Sequence, residues 1–237
     1  MESLEKFLQE EPLDAPKMVV TDGVFSMEGD IVKLPRMKEL CRKYNARLYL
    51  DEAHALGVLG NTGRGTEEHY GVKSFADLLM CTFSKSFGSL GGFVAGEHKV
   101  IDYIKHQARP LIFSASMPPA TIASVSKCLE IIEKEPERVR RLQEIGRKMV
   151  AGYKSLGFDI GTSETPIVPL LIGDMEKTLL FWKALFDGGV FTNPVLSPAV
   201  PPDSTLIRTS YMAIHSDEEC DRILEIAGKA GKKLGII

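Results

Sequence analysis

Two short tracts of the sequence carry side chains that chemistry can use. Asp51-Glu52-Ala53-His54 closes the apolar run 47–51, and Thr82-Phe83-Ser84-Lys85-Ser86 closes the run 78–83. An ordinary lysine is a hydrated surface cation. Lys85 differs because it leaves a strand for a glycine-rich turn at Gly88, Gly91 and Gly92. A partly desolvated lysine gives up its proton more easily and forms a Schiff base with an aldehyde. The aldehyde cofactor pyridoxal phosphate (PLP) needs such an amine. It also needs a carboxylate at its ring nitrogen, so that the ring can draw off electrons. Asp51 supplies a candidate. Thr82 and Ser84 flank the lysine with hydroxyls that suit a phosphate, or that serve as ordinary strand-end hydrogen bonds. Arg208 offers a two-pronged fork for a carboxylate, or a surface ion pair. His54 lies near enough to Asp51 to orient a ring hydroxyl or the lysine, or to sit in the core.

Other readings of these tracts are weaker. The tetrapeptide 51–54 also resembles the acidic motif of some helicases, but the phosphate loop GxxxxGK[ST] is absent. The glycines at 88–96 follow Lys85 instead of opening a helix after a strand, which disfavours a dinucleotide site. His215 precedes a helix cap and reads as structural. His69, His98 and His106 lie in polar stretches and receive no role, and Trp182 lies on an apolar helical face.

The elements that must position these groups follow from the hydrophobic period. A short helix over 3–10 ends at Pro12. A strand over 18–21 runs into Asp22-Gly23. A helix over 35–44 opens at Pro35 and ends before Asn45. Strands at 47–51, 78–83 and 92–95 follow. This alternation predicts an α/β fold with a parallel sheet and helices on both faces, and ligands beyond the carboxyl ends of its strands. The second half predicts helices over 119–134 and 137–156, strands at 167–172 and 206–210, and a helix ending at Gly188-Gly189. A Pro-rich loop spans 193–202, and a last helix opens with a Ser216–Glu219 capping box.

Composition limits the function classes. The chain has 237 residues, 29 Lys and Arg against 32 Asp and Glu, and a net charge of -3, a poor footprint for nucleic acid or an anionic membrane. No apolar run approaches the about 18 residues of a membrane span. The four cysteines form no CxxC pair and the histidines no HxxxH pair. No metal site is expected, and a reducing, cytoplasmic setting is.

DGVFSMEGD at 22–30, LDEAHALGVLGNTGRG at 50–65, TFSKSFGSLGGF at 82–93 and RPLIFSASMPPA at 109–120 resemble the α-oxoamine synthases. These are PLP-dependent acyl-CoA:amino acid C-acyltransferases of fold-type I. The resemblance implies a partial large domain with a mainly parallel sheet, 1–120, and a smaller C-terminal α+β domain, 121–237. It implies Lys85 as the Schiff-base lysine, Asp51 on the pyridinium nitrogen, and His54 and Ser26 beside the ring hydroxyl. Thr82 and Ser84 would contact the phosphate, Ser114 the phosphate of a neighbouring subunit, and Arg208 the substrate carboxylate. The implied partners are an amino acid, an acyl-CoA and a second copy of the chain. Details such as Ser86 after the lysine and Phe93 after the glycines look most like the bacterial serine palmitoyltransferases. The implied reaction is decarboxylative condensation of serine with palmitoyl-CoA to 3-ketodihydrosphingosine. Glycine C-acetyltransferase, 8-amino-7-oxononanoate synthase and 5-aminolevulinate synthase are the alternatives. The family's N-terminal portion has no counterpart here. The chain is therefore expected to be a C-terminal piece with open sheet edges and exposed apolar surface, or a non-catalytic subunit of a full-length partner.

Overall fold

The computed structural model describes all 237 residues, which gather into two compact units. Unit 1 comprises Met1–Val24 and Val32–Val139; unit 2 comprises Phe25–Ile31 and Arg140–Ile237.

Unit 1 contains α1 (Glu2–Glu10), β1 (Lys17–Asp22), α2 (Leu34–Lys43), β2 (Ala46–Asp51), α3 (Thr66–His69) and β3 (Leu78–Thr82). They are followed by β4 (Gly92–Gly96), α4 (His98–Gln107), α5 (Arg109–Ile112) and α6 (Pro119–Lys134). The sheet order is β1-β2-β3-β4. Val19, Leu48 and Leu50 are buried, as are Leu34, Met37, Leu40 and Cys41 of α2, which packs on β2. Pro35 sits in the first turn of α2, where its missing N–H costs nothing. Asn45 takes φ 52° just beyond the helix and turns the chain into β2.

β1, β2 and β3 pair in parallel, but β4 pairs antiparallel to β3. That departs from the expected parallel arrangement. A parallel partner needs a crossover, usually helical, and residues 83–91 between these strands contain no helix. The parallel pairs bring Asp22 and Asp51 level at neighbouring strand ends.

α7 (Glu137–Leu156) leads into unit 2, which continues with β5 (Ile167–Leu171), α8 (Met175–Asp187), β6 (Asn193–Val195), β7 (Leu206–Ser210) and α9 (Asp217–Lys233). Its antiparallel sheet has the order β5-β7-β6. The core joins Ile145, Met149 and Tyr153 of α7 to Val168 and Leu170, Phe181 and Leu185, Ile207, and Ala227. Gly157 takes φ 97° just after α7, and Ser216 and Glu219 close the expected capping box on α9. β6 lies inside the stretch read as a loop. Its Pro194 is tolerated because β6 is an edge strand.

α6 belongs to unit 1, although its sequence position suggested the second domain. Cys128 lies on the Phe87 carbonyl at 3.5 Å, and Ile132 is near neighbour to Gly57 and Gly63. Pro118 and Pro119 open α6. α4, α5 and α6 bury no residue, and Phe113 is 82% exposed. No helix is long and apolar enough to cross a membrane.

Candidate functional site

Five of the expected residues, Asp51, His54, Thr82, Ser84 and Lys85, stand at or just beyond strand ends in unit 1. Asp51, the last residue of β2, is half-buried. Its Oδ1 accepts the Ala53 N–H at 2.8 Å. His54 is half-buried on the turn that follows.

Lys85 is exposed on the loop from β3 to β4. The loop is anchored from within. Phe83 and Phe87 are buried and meet edge to face at 5.3 Å. Ser89 N donates to Phe83 O at 2.7 Å, and Gly88 N to Lys85 O at 2.9 Å. Lys85 is thus held at the apex of a turn whose two phenylalanines are sunk in the core. Thr82 and Ser84 share a hydroxyl–hydroxyl bond of 2.8 Å, and Ser84 N donates to Thr82 Oγ1 at 3.2 Å. These groups make a small donor cluster suited to an oxyanion.

Asp22 reports how close the charged groups are. Burial raises its pKa above the ordinary carboxylate value, the Asp51 charge raises it further, and the Lys85 charge opposes both. Asp22, Asp51 and Lys85 therefore lie within one electrostatic neighbourhood. In the sequence Asp22 reads only as the residue where the strand meets a loop. Its register with Asp51 at the end of a parallel strand, a feature of the fold, brings it to these groups.

Ser26 and Arg208 belong to unit 2 and meet there. Segment 25–31 is a strap laid on this unit. Thr165 Oγ1 donates to Gly29 O at 2.8 Å, and Arg208 Nε donates to Ser26 O at 2.7 Å. That bond uses one edge of the guanidinium and leaves the Nη fork for an anion. Burial lowers the Arg208 pKa, with no opposing charge contribution. A half-buried guanidinium with its Nη edge open has the geometry to take an anion.

Gly29 makes the strap possible. Its φ is 71°, and a Cβ there would sit 2.0 Å from the Ile167 carbonyl oxygen. Gly29→Ala is expected to destabilise unit 2 by at least about 2 kcal/mol, from the left-handed strain and the collision together. Urea unfolding checks this; an unchanged midpoint would show that the strap yields freely.

Ser114 is exposed in residues 113–118 after α5, and no hydrogen bond ties it to the strand-end cluster. His215 is structural in unit 2. Its Nδ1 accepts the Met212 N–H at 3.2 Å, and its ring stands edge-on to Tyr211. Trp182 is half-buried and donates to Thr192 O at 3.1 Å. A cleft of about 320 Å³ in unit 2 and one of about 250 Å³ in unit 1 are lined by none of the expected site residues.

Unit 1 thus offers a carboxylate, an amine, an imidazole and two hydroxyls. That set can hold a molecule with a basic ring nitrogen, an aldehyde and a phosphate. The family model described as aminotransferase class I and II matches residues 1–226. A serine palmitoyltransferase of Bacteroides ovatus is 46% identical over all of this chain and 60% of its own length. An 8-amino-7-oxononanoate synthase of Thermoanaerobacter pseudethanolicus is 42% identical over 100% and 60%. Among solved structures, serine palmitoyltransferase of S. paucimobilis with PLP and myriocin bound superposes with a TM-score of 0.95 at 35% identity. That match covers 100% of this chain and 60% of the other. The chain spans about 60% of the length of these relatives.

Proposed function

The chain belongs to the aminotransferase class I and II family, and from that premise we propose that it binds PLP on unit 1 and serves an acyl-CoA:amino acid condensation. The observation that carries this is that Asp51 stands level with Asp22 at neighbouring strand ends, and that Asp22 feels the charges of both Asp51 and Lys85. The residues fit the cofactor. Lys85 Nζ is the amine that holds it covalently. Asp51 keeps a free carboxylate oxygen for the ring N–H. His54 and Ser26 serve the ring hydroxyl. Thr82 and Ser84 serve the phosphate, with Ser114 contributing to the phosphate site of a second copy in a homodimer.

Bound PLP supplies an electron sink that makes the carbon beside the substrate nitrogen acidic. The chain does the rest. Arg208 receives the amino-acid carboxylate on its Nη fork. Lys85 Nζ takes the proton from the α-carbon and later returns one. Asp51 keeps the ring nitrogen protonated throughout. The finer reading is serine plus palmitoyl-CoA, giving 3-ketodihydrosphingosine, CO₂ and CoA. Serine palmitoyltransferases at 46–49% identity support it. The 8-amino-7-oxononanoate synthases are the rival, and that product's formula implies alanine and a seven-carbon dicarboxylic acyl group.

The test is CoA release by the chain with PLP, comparing serine and palmitoyl-CoA against alanine and pimeloyl-CoA. Release with the first pair alone supports the proposal, and release with the second alone replaces it. Arg208→Lys keeps the charge but loses the fork. It is expected to raise the amino-acid KM about tenfold or more, leaving the acyl-CoA KM nearly unchanged. Equal effects on both would remove Arg208 from the carboxylate.

A second reading is a subunit that pairs with a longer member of the family. It is favoured by the unburied faces of α4, α5 and α6. Native mass spectrometry of the chain purified from its own cell distinguishes the two, since a mass that is not a multiple of the 26.1 kDa chain and contains one longer chain selects the second.

A further inference from the structure

Glu52 lies in the sequence between Asp51 and His54 and is itself fully buried. Both of its carboxylate oxygens lie 3.1 Å from the Thr66 backbone nitrogen. No lysine or arginine pairs with it. Its backbone is equally committed, with its N–H on Met80 O at 2.8 Å and its carbonyl accepting Ala55 N and Leu56 N at 3.0 and 2.9 Å. The neighbours are shaped around the side chain. Gly65 takes φ 89°, and a Cβ there would sit 2.2 Å from Glu52 Oε2. A Cβ on Gly23 would sit 2.2 Å from Thr66 Oγ1.

The consequence is a closed loop. Residues 53–65 begin where Asp51 holds Ala53 and end where Glu52 holds Thr66. Inside it, Gly57 N donates to Gly63 O at 2.7 Å and Gly65 N to Leu59 O at 3.1 Å. The loop carries His54. It also supports the neighbour of Lys85, because Ser86 Oγ donates to Leu56 O at 2.6 Å. Gly57 is glycine where a Cβ would meet the Ser86 Cβ at 2.7 Å.

We propose that Glu52 is a positioning residue. Its buried carboxyl pins the Thr66 amide and so fixes loop 53–65, which in turn sets His54 and, through Leu56 and Ser86, the turn that carries Lys85. Glu52 touches neither cofactor nor substrate. Its importance for catalysis rests on the PLP reading above, whereas the clamp itself is a property of the chain alone.

The clamp has a pH signature. Burial, followed by the charges of Glu67 and Asp51, raises the Glu52 pKa to about 7 against the bonds from Thr66. Cys81, also beside Glu52, is pushed up to about 12 by burial and stays a thiol. A carboxyl with a raised folded pKa favours the fold when neutral. Its stabilising share is complete below the unfolded value of about 4.5 and is lost as the pH rises through about 7.

The first experiment uses the chain without cofactor. Peptide-level hydrogen exchange is compared for the wild type, Glu52→Ala and Glu52→Gln. Glu52→Ala is expected to speed exchange in peptides covering 53–66 and 84–88 by about tenfold or more, leaving those from 140–237 unchanged. Glu52→Gln keeps an oxygen for the Thr66 amide and is expected to restore most of the protection. It is also expected to abolish the Glu52 share of the fall in unfolding midpoint expected of the wild type between about pH 5 and 8. Unchanged exchange in Glu52→Ala overturns the proposal, and so does a Glu52→Gln chain as loose as Glu52→Ala. If Glu52→Ala does not fold, Gly65→Ala, which drives a Cβ into the carboxyl, takes its place. The second experiment adds PLP and follows the visible band. Weaker PLP binding by Glu52→Ala, with Glu52→Gln near wild type, extends the clamp to the site. A wild-type chain that takes up no PLP overturns the functional reading, and the exchange result still decides the clamp.

Discussion

Lys85→Ala is expected to lose all covalent retention of PLP. Borohydride reduction followed by mass spectrometry should place a pyridoxyl group on Lys85 in the native chain and on no residue of the variant. CoA release should fall to the background rate, because both the covalent amine and the group that moves the α-proton are gone. The fold should survive. Lys85 is exposed, and its loop is held by Phe83 and Phe87 rather than by the lysine, so far-UV circular dichroism and the unfolding midpoint should match the native chain. A label elsewhere in the native chain would move the chemistry to another amine. A Lys85→Ala chain that still turned over would remove the reading altogether.

Phe181→Ala is expected to have the largest effect on stability. Its ring is fully buried in unit 2 and lies against Phe158 with centroids 5.6 Å apart. Removing such a ring leaves a cavity that the surrounding helices and sheet refill only in part, at a cost of about 3–5 kcal/mol. For a unit of this size that lowers Tm by roughly 10–20 °C. Calorimetry is the measurement. Labelling of Lys85 below the new midpoint should persist, since Lys85 belongs to unit 1. A shift of only a few degrees would show that the core around α8 collapses to fill the space.

The elements most legible in the sequence are those whose local and tertiary preferences agree. α7 ends at Leu156 with Gly157 turning beyond it, and α9 carries its capping box at Ser216. Both follow from the 3.6-residue period and one end signal. The direction of β4 was not legible, because an apolar pentapeptide has no polarity of its own and only the connection over 83–91 decides it. β6 was masked by prolines that an edge strand accepts. Among the candidate site residues, Asp51, His54 and Lys85 stand out in the sequence by residue type and position after apolar runs. Asp22 and Glu52 could not. Asp22 acquires its meaning from register with Asp51, and Glu52 from a bond to Thr66 across a loop. An acidic residue in a motif looks the same whether it faces a ligand or the core.

The strap over 25–31 also sets an order of assembly during synthesis. Ser26 and its partner Arg208 are 182 residues apart. At about 5–20 residues per second, Ser26 is made roughly 9 to 36 s before Arg208. Asp51, His54, Thr82, Ser84 and Lys85 are all made in the meantime. On the proposed reading, a nascent chain completes its amine and its acid long before the proposed receptor for a substrate carboxylate exists. A chain stopped short of residue 208 would then have the groups proposed for the cofactor and lack the one proposed to choose what reacts with it.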